Sequence, residues 1–143
     1  MLTKRIFYES HNYNFITRLF SVAFYAQNSD LTINISEISS DKGQLIVKLY
    51  NAKETFRKII FKEETLTISN GKASVIIEDL PEGDYAFAIL HDENSNGKID
   101  FNGIHFPIED VAASNNAKGF MGPPNWEDAM FTIVDSCVQN IKM

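Results

Sequence analysis

The chain has 143 residues, of which 44% are hydrophobic and 12% aromatic, and this is enough apolar material for one ordinary globular domain. Its formal net charge of -6 disfavours nucleic-acid binding, because that binding depends on Lys and Arg side chains that neutralise phosphates. The single cysteine, Cys137, excludes an internal disulfide, so the hydrophobic core alone must stabilise the fold.

Residues 1–28 differ in composition from the rest of the chain and have the outline of a secretory signal peptide. Lys4 and Arg5 precede a mostly apolar stretch at residues 15–26, in which small residues suit a cleavage site. Arg18 interrupts this stretch, and an N-terminal extension is therefore the alternative interpretation. We expect an exported protein in the periplasm, on the cell surface or secreted.

The remainder, residues 29–143, is expected to form one domain. No stretch of the chain reaches the roughly 20 apolar residues that a membrane-spanning helix needs. From Leu31 onward the apolar residues recur with period two, which is the pattern of β-strands with one buried face. Leu31, Ile33 and Ile35 share one face of the first strand. A turn signal at residues 41–43 predicts that the first two strands form a hairpin.

Further turn signals divide the rest of the domain. Residues 51–62 have apolar spacing that fits either a helical turn or an irregular crossing between sheets. Asn70 and Gly71 are typical of a two-residue hairpin turn between strands. Residues 85–90 are apolar on both faces, which predicts a central strand.

The segment at residues 91–128 has no clear periodicity, but it contains too many large apolar side chains for a disordered tail. We therefore expect one long ordered loop. Two more apolar runs near the C-terminus bring the total to about seven strands with regularly spaced turns. The predicted fold class is all-β, an antiparallel β-sandwich.

The most specific chemical feature is an acidic loop at residues 92–100, which reads DENSNGKID. Calcium prefers oxygen ligands, and the loop of an EF-hand supplies them at alternate positions around a glycine. The predicted calcium ligands are the side chains of Asp92, Asn94, Asn96 and Asp100 and the backbone carbonyl of Lys98.

The twelfth position of this loop is Gly103, so the bidentate Glu of an EF-hand is absent and the loop is not one. Glu109, Asp110, another carbonyl or water would have to complete the coordination. The alternative interpretation is an Asn-Gly turn with solvated polar neighbours, since Asn and Asp favour turns without a metal.

Two other groups of residues suggest different functions. His91, Asp92 and His105 could form a metal-dependent hydrolase site, although a structural, hydrogen-bonded His91 is the simpler interpretation. Phe120 and Trp126 could stack on a sugar as in a carbohydrate-binding module, or could instead plug the open end of the sandwich. No nucleophile with a base is recognisable, so no catalytic residue is predicted.

Several motifs, in order and spacing, resemble one bacterial family. They are the segments at residues 41–44, 79–86, 91–100, 114–117, 122–124 and 127–129. Over residues 31–143 the chain is similar to the uncharacterised bacterial envelope family known as domain of unknown function 2141. The resemblance implies an exported immunoglobulin-like or transthyretin-like β-sandwich without established enzymatic activity.

These observations predict a non-catalytic binding or structural module of the cell envelope with a calcium-binding loop. Its partner would be a protein or a glycan, with no nucleic acid and no transmembrane span.

Overall fold

A computed structural model describes residues 28–143, so the predicted signal peptide lies almost wholly outside the described residues. Besides a 3-10 helix at Ser114–Asn116, eight strands and one short α-helix form the regular structure of the described part. They are β1 (Ser29–Ser36), β2 (Gln44–Tyr50), β3 (Lys62–Leu66), β4 (Ala73–Leu80), β5 (Gly83–Asp92), β6 (Val111–Ala113), α1 (Trp126–Ala129), β7 (Phe131–Ile133) and β8 (Cys137–Lys142).

The strands form two sheets. The first has the order β4-β1-β8, with β1 antiparallel to β4 and parallel to β8. The second has the order β3-β2-β5-β6, all antiparallel, and β7 pairs with the start of β5 on the same edge as β6. The predicted β-sandwich is confirmed, with one strand more than expected and one parallel pair.

The core lies between the two sheets because the strands alternate apolar and polar residues, and successive side chains point to opposite faces. Leu31, Ile33 and Ile35 of β1 are buried, as their spacing predicts. Other strands contribute buried side chains to the same cluster, among them Leu45, Val47, Leu49, Ile77, Leu80, Tyr85, Phe87, Ile89, Ile133 and Ile141.

β5 is the central strand, as its two apolar faces predict. Phe87 faces the core between the sheets, while Ala86 belongs to a smaller buried cluster on the other face of β5. Trp126 of α1 covers that face and packs edge-on against Phe56, with ring centroids 5.4 Å apart. Two apolar layers therefore enclose β5.

The predicted hairpin between the first two strands is wrong. β1 and β2 belong to different sheets, and residues 37–43 carry the chain from one sheet to the other. Ile38 in this crossing is buried, and its N–H donates to the Gly71 carbonyl at 3.1 Å. Period two specifies which residues face the core, but it does not specify which strand lies alongside.

Residues 51–61 form a series of turns that joins β2 to its antiparallel neighbour β3 within one sheet, so the predicted crossing between sheets is wrong. The helical-turn alternative is confirmed at one place, where the N–H of Ile59 donates to the Thr55 carbonyl at 2.9 Å. The Asn70-Gly71 turn is confirmed, since both residues have positive φ. It closes only the single bridge between Ser69 and Lys72, because β3 and β4 belong to different sheets.

The strand directions define two poles of the sandwich. Ser29 pairs with Leu80 at one pole, next to the turn that precedes β5. β5 has 10 residues and ends at Asp92, at the pole where residues 37–43 cross between the sheets. No helix within residues 28–143 is both long enough and apolar enough to cross a membrane.

Candidate metal centre

The acidic loop begins at the last residue of β5. Asp92 pairs with Gln44 of β2, and its side chain is fully buried. Its carboxylate accepts hydrogen bonds from the N–H of Asn96 at 3.0 Å, the N–H of Gly97 at 2.8 Å and Gln44 Nε2 at 2.9 Å. The buried carboxylate of Asp92 therefore holds the first half of the loop in a closed turn.

These contacts set the charge state of Asp92. Burial raises the pKa of its carboxyl group, because a buried charge loses solvation. Hydrogen bonds from the Gln44 side chain and from backbone N–H groups of the loop lower the pKa by more, so the pKa of Asp92 lies below its ordinary value. The buried carboxylate is held in its charged form.

Three of the predicted ligands meet on the outer side of the loop. Asn94 Nδ2 donates to Asp100 Oδ2 at 2.6 Å, and Asn96 Nδ2 lies 3.2 and 3.1 Å from the two oxygens of Asp100. The amide oxygens of Asn94 and Asn96 accept the N–H groups of Asn96 and Lys98 at 3.0 and 2.8 Å. Alternate spacing in the sequence thus brings these three side chains together.

Glu109 lies outside residues 92–100 but forms hydrogen bonds to the backbone of the loop. Its two carboxylate oxygens accept the N–H of Glu93 at 3.1 Å and the N–H of Asp100 at 3.0 Å. The sequence left open whether Glu109 or Asp110 completes the site. Asp110 instead accepts a hydrogen bond from Ser39 Oγ at 2.7 Å, so Glu109 is the carboxylate that contacts the loop.

The backbone at Gly43 packs closely against the backbone at Asp92, where the loop begins. Gly43 has a φ of 71°, and a Cβ at this position would lie 2.1 Å from the Asp92 carbonyl oxygen. Within the loop, Ser95 and Gly97 have φ values of 57° and 77°, and the chain can therefore turn sharply there. Gln44 and Gly43 are contacts that reading the loop alone could not identify, because they lie about 50 residues away in the chain.

The oxygen atoms of the loop suit a hard cation such as calcium, but few of them belong to carboxylates. Each amide oxygen that accepts one N–H keeps a second lone pair, and Asp100 is within reach of both amides. Among residues 28–143, no three His, Cys, Asp or Glu side chains form a metal-binding group. Any ion here would depend on amide and carbonyl oxygens beside one or two carboxylates, which calcium accepts more readily than a transition metal does.

The two histidines are far from equivalent. His91 is fully buried, and its Nε2 donates to the Lys42 carbonyl at 2.9 Å, which confirms the structural role expected for it. Its Nδ1 has no hydrogen-bond partner and lies 4.0 Å from Glu93 Oε1. His105 is an exposed residue in the turn beyond the acidic loop.

The two aromatic residues of the long loop also differ. Trp126 is buried, so its ring is unavailable for stacking on a sugar, but it covers the outer face of β5 and does not plug the open end of the sandwich. Phe120 is 95% exposed, so the plug interpretation is wrong for this residue. It lies in a Gly/Pro-rich turn that turns the side chain outward, and a count of apolar residues could not show this.

The fold and the loop define the class of protein: a two-sheet β-sandwich with a long ordered excursion at the end of its central strand. Residues 33–142 match the sequence model of the family described as "Uncharacterized protein conserved in bacteria (DUF2141)", and the chain belongs to this family. No curated protein and no solved structure matches the chain.

Proposed function

We propose that this protein is an exported, non-catalytic binding or structural module of the bacterial cell envelope whose loop at residues 92–100 binds calcium. The observation that carries the proposal is the meeting of Asn94, Asn96 and Asp100 at hydrogen-bond distance, on a loop that Asp92 and Glu109 hold closed. Membership of an uncharacterised bacterial family is consistent with it.

A simple Asn-Gly turn explains only part of this arrangement. Such a turn needs two residues of special conformation, whereas the side chains of Asn94 and Asn96 also converge here on the Asp100 carboxylate. A calcium ion would take the place of the amide N–H groups on Asp100, and the amide oxygens would turn towards it. The ligands would be the side chains of Asp92, Asn94, Asn96 and Asp100 and the carbonyl of Lys98, with Glu109 holding the loop backbone in position.

The environment of the reactive side chains favours a non-catalytic role. His91 is fully buried and bonded to a backbone carbonyl, so it is out of reach of a substrate. Burial raises the pKa of the Cys137 thiol, which leaves less of the nucleophilic thiolate at neutral pH. A hydrolase would need His91, Asp92 and His105 around one open site, and His105 instead lies on an exposed turn.

The proposed location outside the cytoplasm rests on the N-terminal sequence. Lys4 and Arg5 before an apolar stretch are typical of a signal peptide. Expression of the full chain in a bacterium, followed by mass spectrometry of the periplasmic fraction, tests this. If the protein were recovered only from the cytoplasm, with an N-terminus that still begins at Met1, export would be contradicted.

Thermal melting with and without calcium tests the loop. Calcium at ten times Kd should stabilise the unmutated protein by about 1.4 kcal/mol, because it binds only the folded form. Asp100→Asn keeps the shape of the side chain but removes its charge, so it should abolish the calcium-dependent rise in Tm. Ser95→Ala, a matched change at a position that is not a predicted ligand, should leave that rise intact.

Equal calcium responses from Asp100→Asn and the unmutated protein would contradict the proposed ligand set. A hydrolase screen with and without divalent metals tests the catalytic alternative. Metal-dependent turnover that His91→Ala abolishes would replace the proposal with an enzyme. A glycan array covers the carbohydrate alternative, for which Phe120 is the exposed aromatic.

A further inference from the structure

His91, the penultimate residue of β5, has two ring nitrogens in different situations. Its Nε2 lies 2.9 Å from the Lys42 carbonyl oxygen, which can only accept, so Nε2 carries the proton and Nδ1 of the neutral ring carries a lone pair. Nδ1 is buried and has no hydrogen-bond partner among the described residues. A buried polar atom in this state is uncommon and calls for a chemical explanation.

A carboxylate faces this lone pair. Glu93 comes two residues after His91, just past the end of β5, and its Oε1 lies 4.0 Å from His91 Nδ1. Both atoms are acceptors, so neither satisfies the other unless a proton or a cation lies between them. Within residues 28–143, the ion pairs of Lys and Arg side chains involve other carboxylates than Glu93.

The hydrogen bond at Nε2 is of the kind that a metal-binding histidine makes. Such a histidine donates its other ring N–H to a carbonyl or a carboxylate, which fixes the tautomer and leaves the ligating nitrogen unprotonated. The Lys42 carbonyl is that partner for His91. The next residue, Gly43, packs so closely on Glu93 that an added Cβ would lie 2.6 Å from the Glu93 Cα. The ring and the carboxylate are therefore held next to each other.

The backbone around the two side chains is also fixed by hydrogen bonds. The N–H of His91 donates to the Asp110 carbonyl at 2.9 Å, and the N–H of Glu93 donates to Glu109 Oε1 at 3.1 Å. The Glu109 carboxylate thereby adds a second negative charge beside Glu93, which favours a cation there.

The distance between the two acceptors suits a small metal ion. Zinc bonds to imidazole and to carboxylate at about 2.0–2.2 Å, so the two bonds together slightly exceed the 4.0 Å between Nδ1 and Oε1. A tetrahedral angle would need the two atoms roughly 3.4 Å apart. The Glu93 side chain is 47% exposed, so it can rotate both to admit an ion from solvent and to close on it.

The nitrogen ligand selects the class of metal and separates this pair from the acidic loop. Calcium takes oxygen ligands, whereas imidazole suits zinc, copper and nickel. Asp92, between the two residues in sequence, directs its carboxylate to the N–H groups of the acidic loop instead. With only two protein ligands, water would fill the other positions, which agrees with the lack of a three-residue metal group in the described part of the chain.

We propose that His91 Nδ1 and the Glu93 carboxylate bind a divalent transition-metal ion of the zinc type, at a site distinct from the acidic loop. The ion connects the end of β5 to the segment at residues 37–43, because the same ring bonds to the Lys42 carbonyl. This inference is independent of the calcium proposal, since the two ions would use different ligands.

NMR of the histidine ring nitrogens in the full-length protein tests this directly. Before zinc is added, His91 should show a protonated Nε2 and an unprotonated Nδ1. Zinc should shift the Nδ1 signal and leave the Nε2 proton in place, because the metal occupies only one nitrogen. Excess calcium should shift neither signal. A purely structural histidine would show no zinc-dependent shift.

A variant of the carboxylate ligand adds a quantitative test. Glu93→Gln keeps the shape of a half-exposed side chain and removes its charge, so it should fold normally. It should weaken zinc binding in calorimetry by at least about tenfold, the effect that even loss of an outer-shell partner has. Glu82→Gln is the matched control, since Glu82 is exposed in the turn before β5, at the opposite pole, and it should leave zinc binding unchanged.

His91→Gln keeps an N–H for the Lys42 carbonyl but has no Nδ1 lone pair, so it should lose zinc binding. Its circular dichroism shows whether it folds, and Glu93→Gln decides if it does not. His105→Gln is the matched control, because His105 lies on an exposed turn. Asp100→Asn should still bind zinc, since Asp100 belongs to the acidic loop.

An Nδ1 signal that zinc leaves in place, at every concentration at which the protein stays soluble, would overturn the inference. So would equal zinc affinities of Glu93→Gln and Glu82→Gln. Loss of zinc binding in Asp100→Asn would show that the ion binds the acidic loop instead. A His91 ring with both nitrogens protonated at neutral pH would show that a proton, and not a metal, lies between His91 and Glu93.

Discussion

Asp92 shows how one residue can serve both the fold and the site. The acidic loop predicts it as a calcium ligand, while the structure shows that its buried carboxylate also closes the loop through Asn96, Gly97 and Gln44. The sequence could indicate the first role because the spacing of oxygen donors is local. It could not indicate Gln44, which reaches Asp92 only because β2 pairs with β5.

The lowered pKa of Asp92 has a consequence for stability in acid. The folded state holds the charged carboxylate more tightly than the unfolded state does, so the stabilisation is complete well above the unfolded pKa of about 3.8. It is lost as the pH falls through the lower folded pKa. We expect the free energy of unfolding to decline below about pH 4, and Asp92→Asn should flatten that decline. Denaturant unfolding from pH 2 to pH 7 measures both curves.

Ser95→Ala, which removes no titratable group from the same loop, should retain the decline in acid. An Asp92→Asn protein with the same acid dependence as the unmutated one would show that other carboxylates govern acid unfolding.

Substitution of Gly43, which packs against the loop, and of Gly97, which lies within it, should destabilise the protein to different extents. Gly43→Ala combines a positive φ with a Cβ that would lie 2.1 Å from the Asp92 carbonyl oxygen, so it should cost about 3 kcal/mol of stability. Gly97→Ala also has a positive φ, but no atom lies within 4 Å of the added Cβ, so it should cost only about 1 kcal/mol. Equal losses for both variants in denaturant titrations would mean that the close approach of Gly43 to β5 contributes nothing.

At the scale of the element, the sequence predicts which face of a strand is buried better than it predicts which strand pairs with it. Leu31, Ile33 and Ile35 share a buried face because period two places them there, whatever strand lies beside them. The partner of a strand depends on which sheet the chain enters after each turn. Residues 37–43 look like a hairpin turn but carry the chain across the sandwich, with Ile38 buried on the way.

Glu109 follows the hairpin at residues 101–108 and bonds back to the backbone of the acidic loop that precedes this hairpin. Glu109→Ala should free the N–H groups of Glu93 and Asp100, and their hydrogen exchange should accelerate by roughly tenfold for the loss of one charge-assisted bond each. Residue-resolved hydrogen exchange measures this change.

Asp110→Ala is the matched control for this prediction. Its side chain bonds to Ser39 and not to the loop, so exchange at Glu93 and Asp100 should stay slow. Fast exchange of these two amides in the unmutated protein would show that the Glu109 contacts do not protect the loop.

At the scale of the whole molecule, β1 begins at Ser29 and lies between β4 and β8 in the smaller sheet. The fold class could be predicted because alternating strands and turns recur along the chain. The shape of the long excursion could not, since its short elements β6 and α1 depend on packing against β5 and not on local periodicity.

A fragment of residues 29–143 should fold by itself, because it contains all eight described strands and every buried residue of the main core cluster within the described part. Its circular dichroism should show mainly β-structure, and its cooperative thermal transition should match that of the full chain within a few degrees. A fragment that remains unfolded would show that residues 1–28 form part of the domain.

Calorimetric titration of the unmutated protein with calcium tests the central claim most directly. We predict one ion per chain with a Kd of roughly 10⁻⁴ to 10⁻³ M, because the loop lacks the bidentate Glu of an EF-hand. Magnesium should bind more weakly, since its compact octahedral shell fits a flexible loop poorly. If several millimolar calcium gives no heat of binding and leaves the melting curve unchanged, the loop at residues 92–100 is a turn that binds no metal.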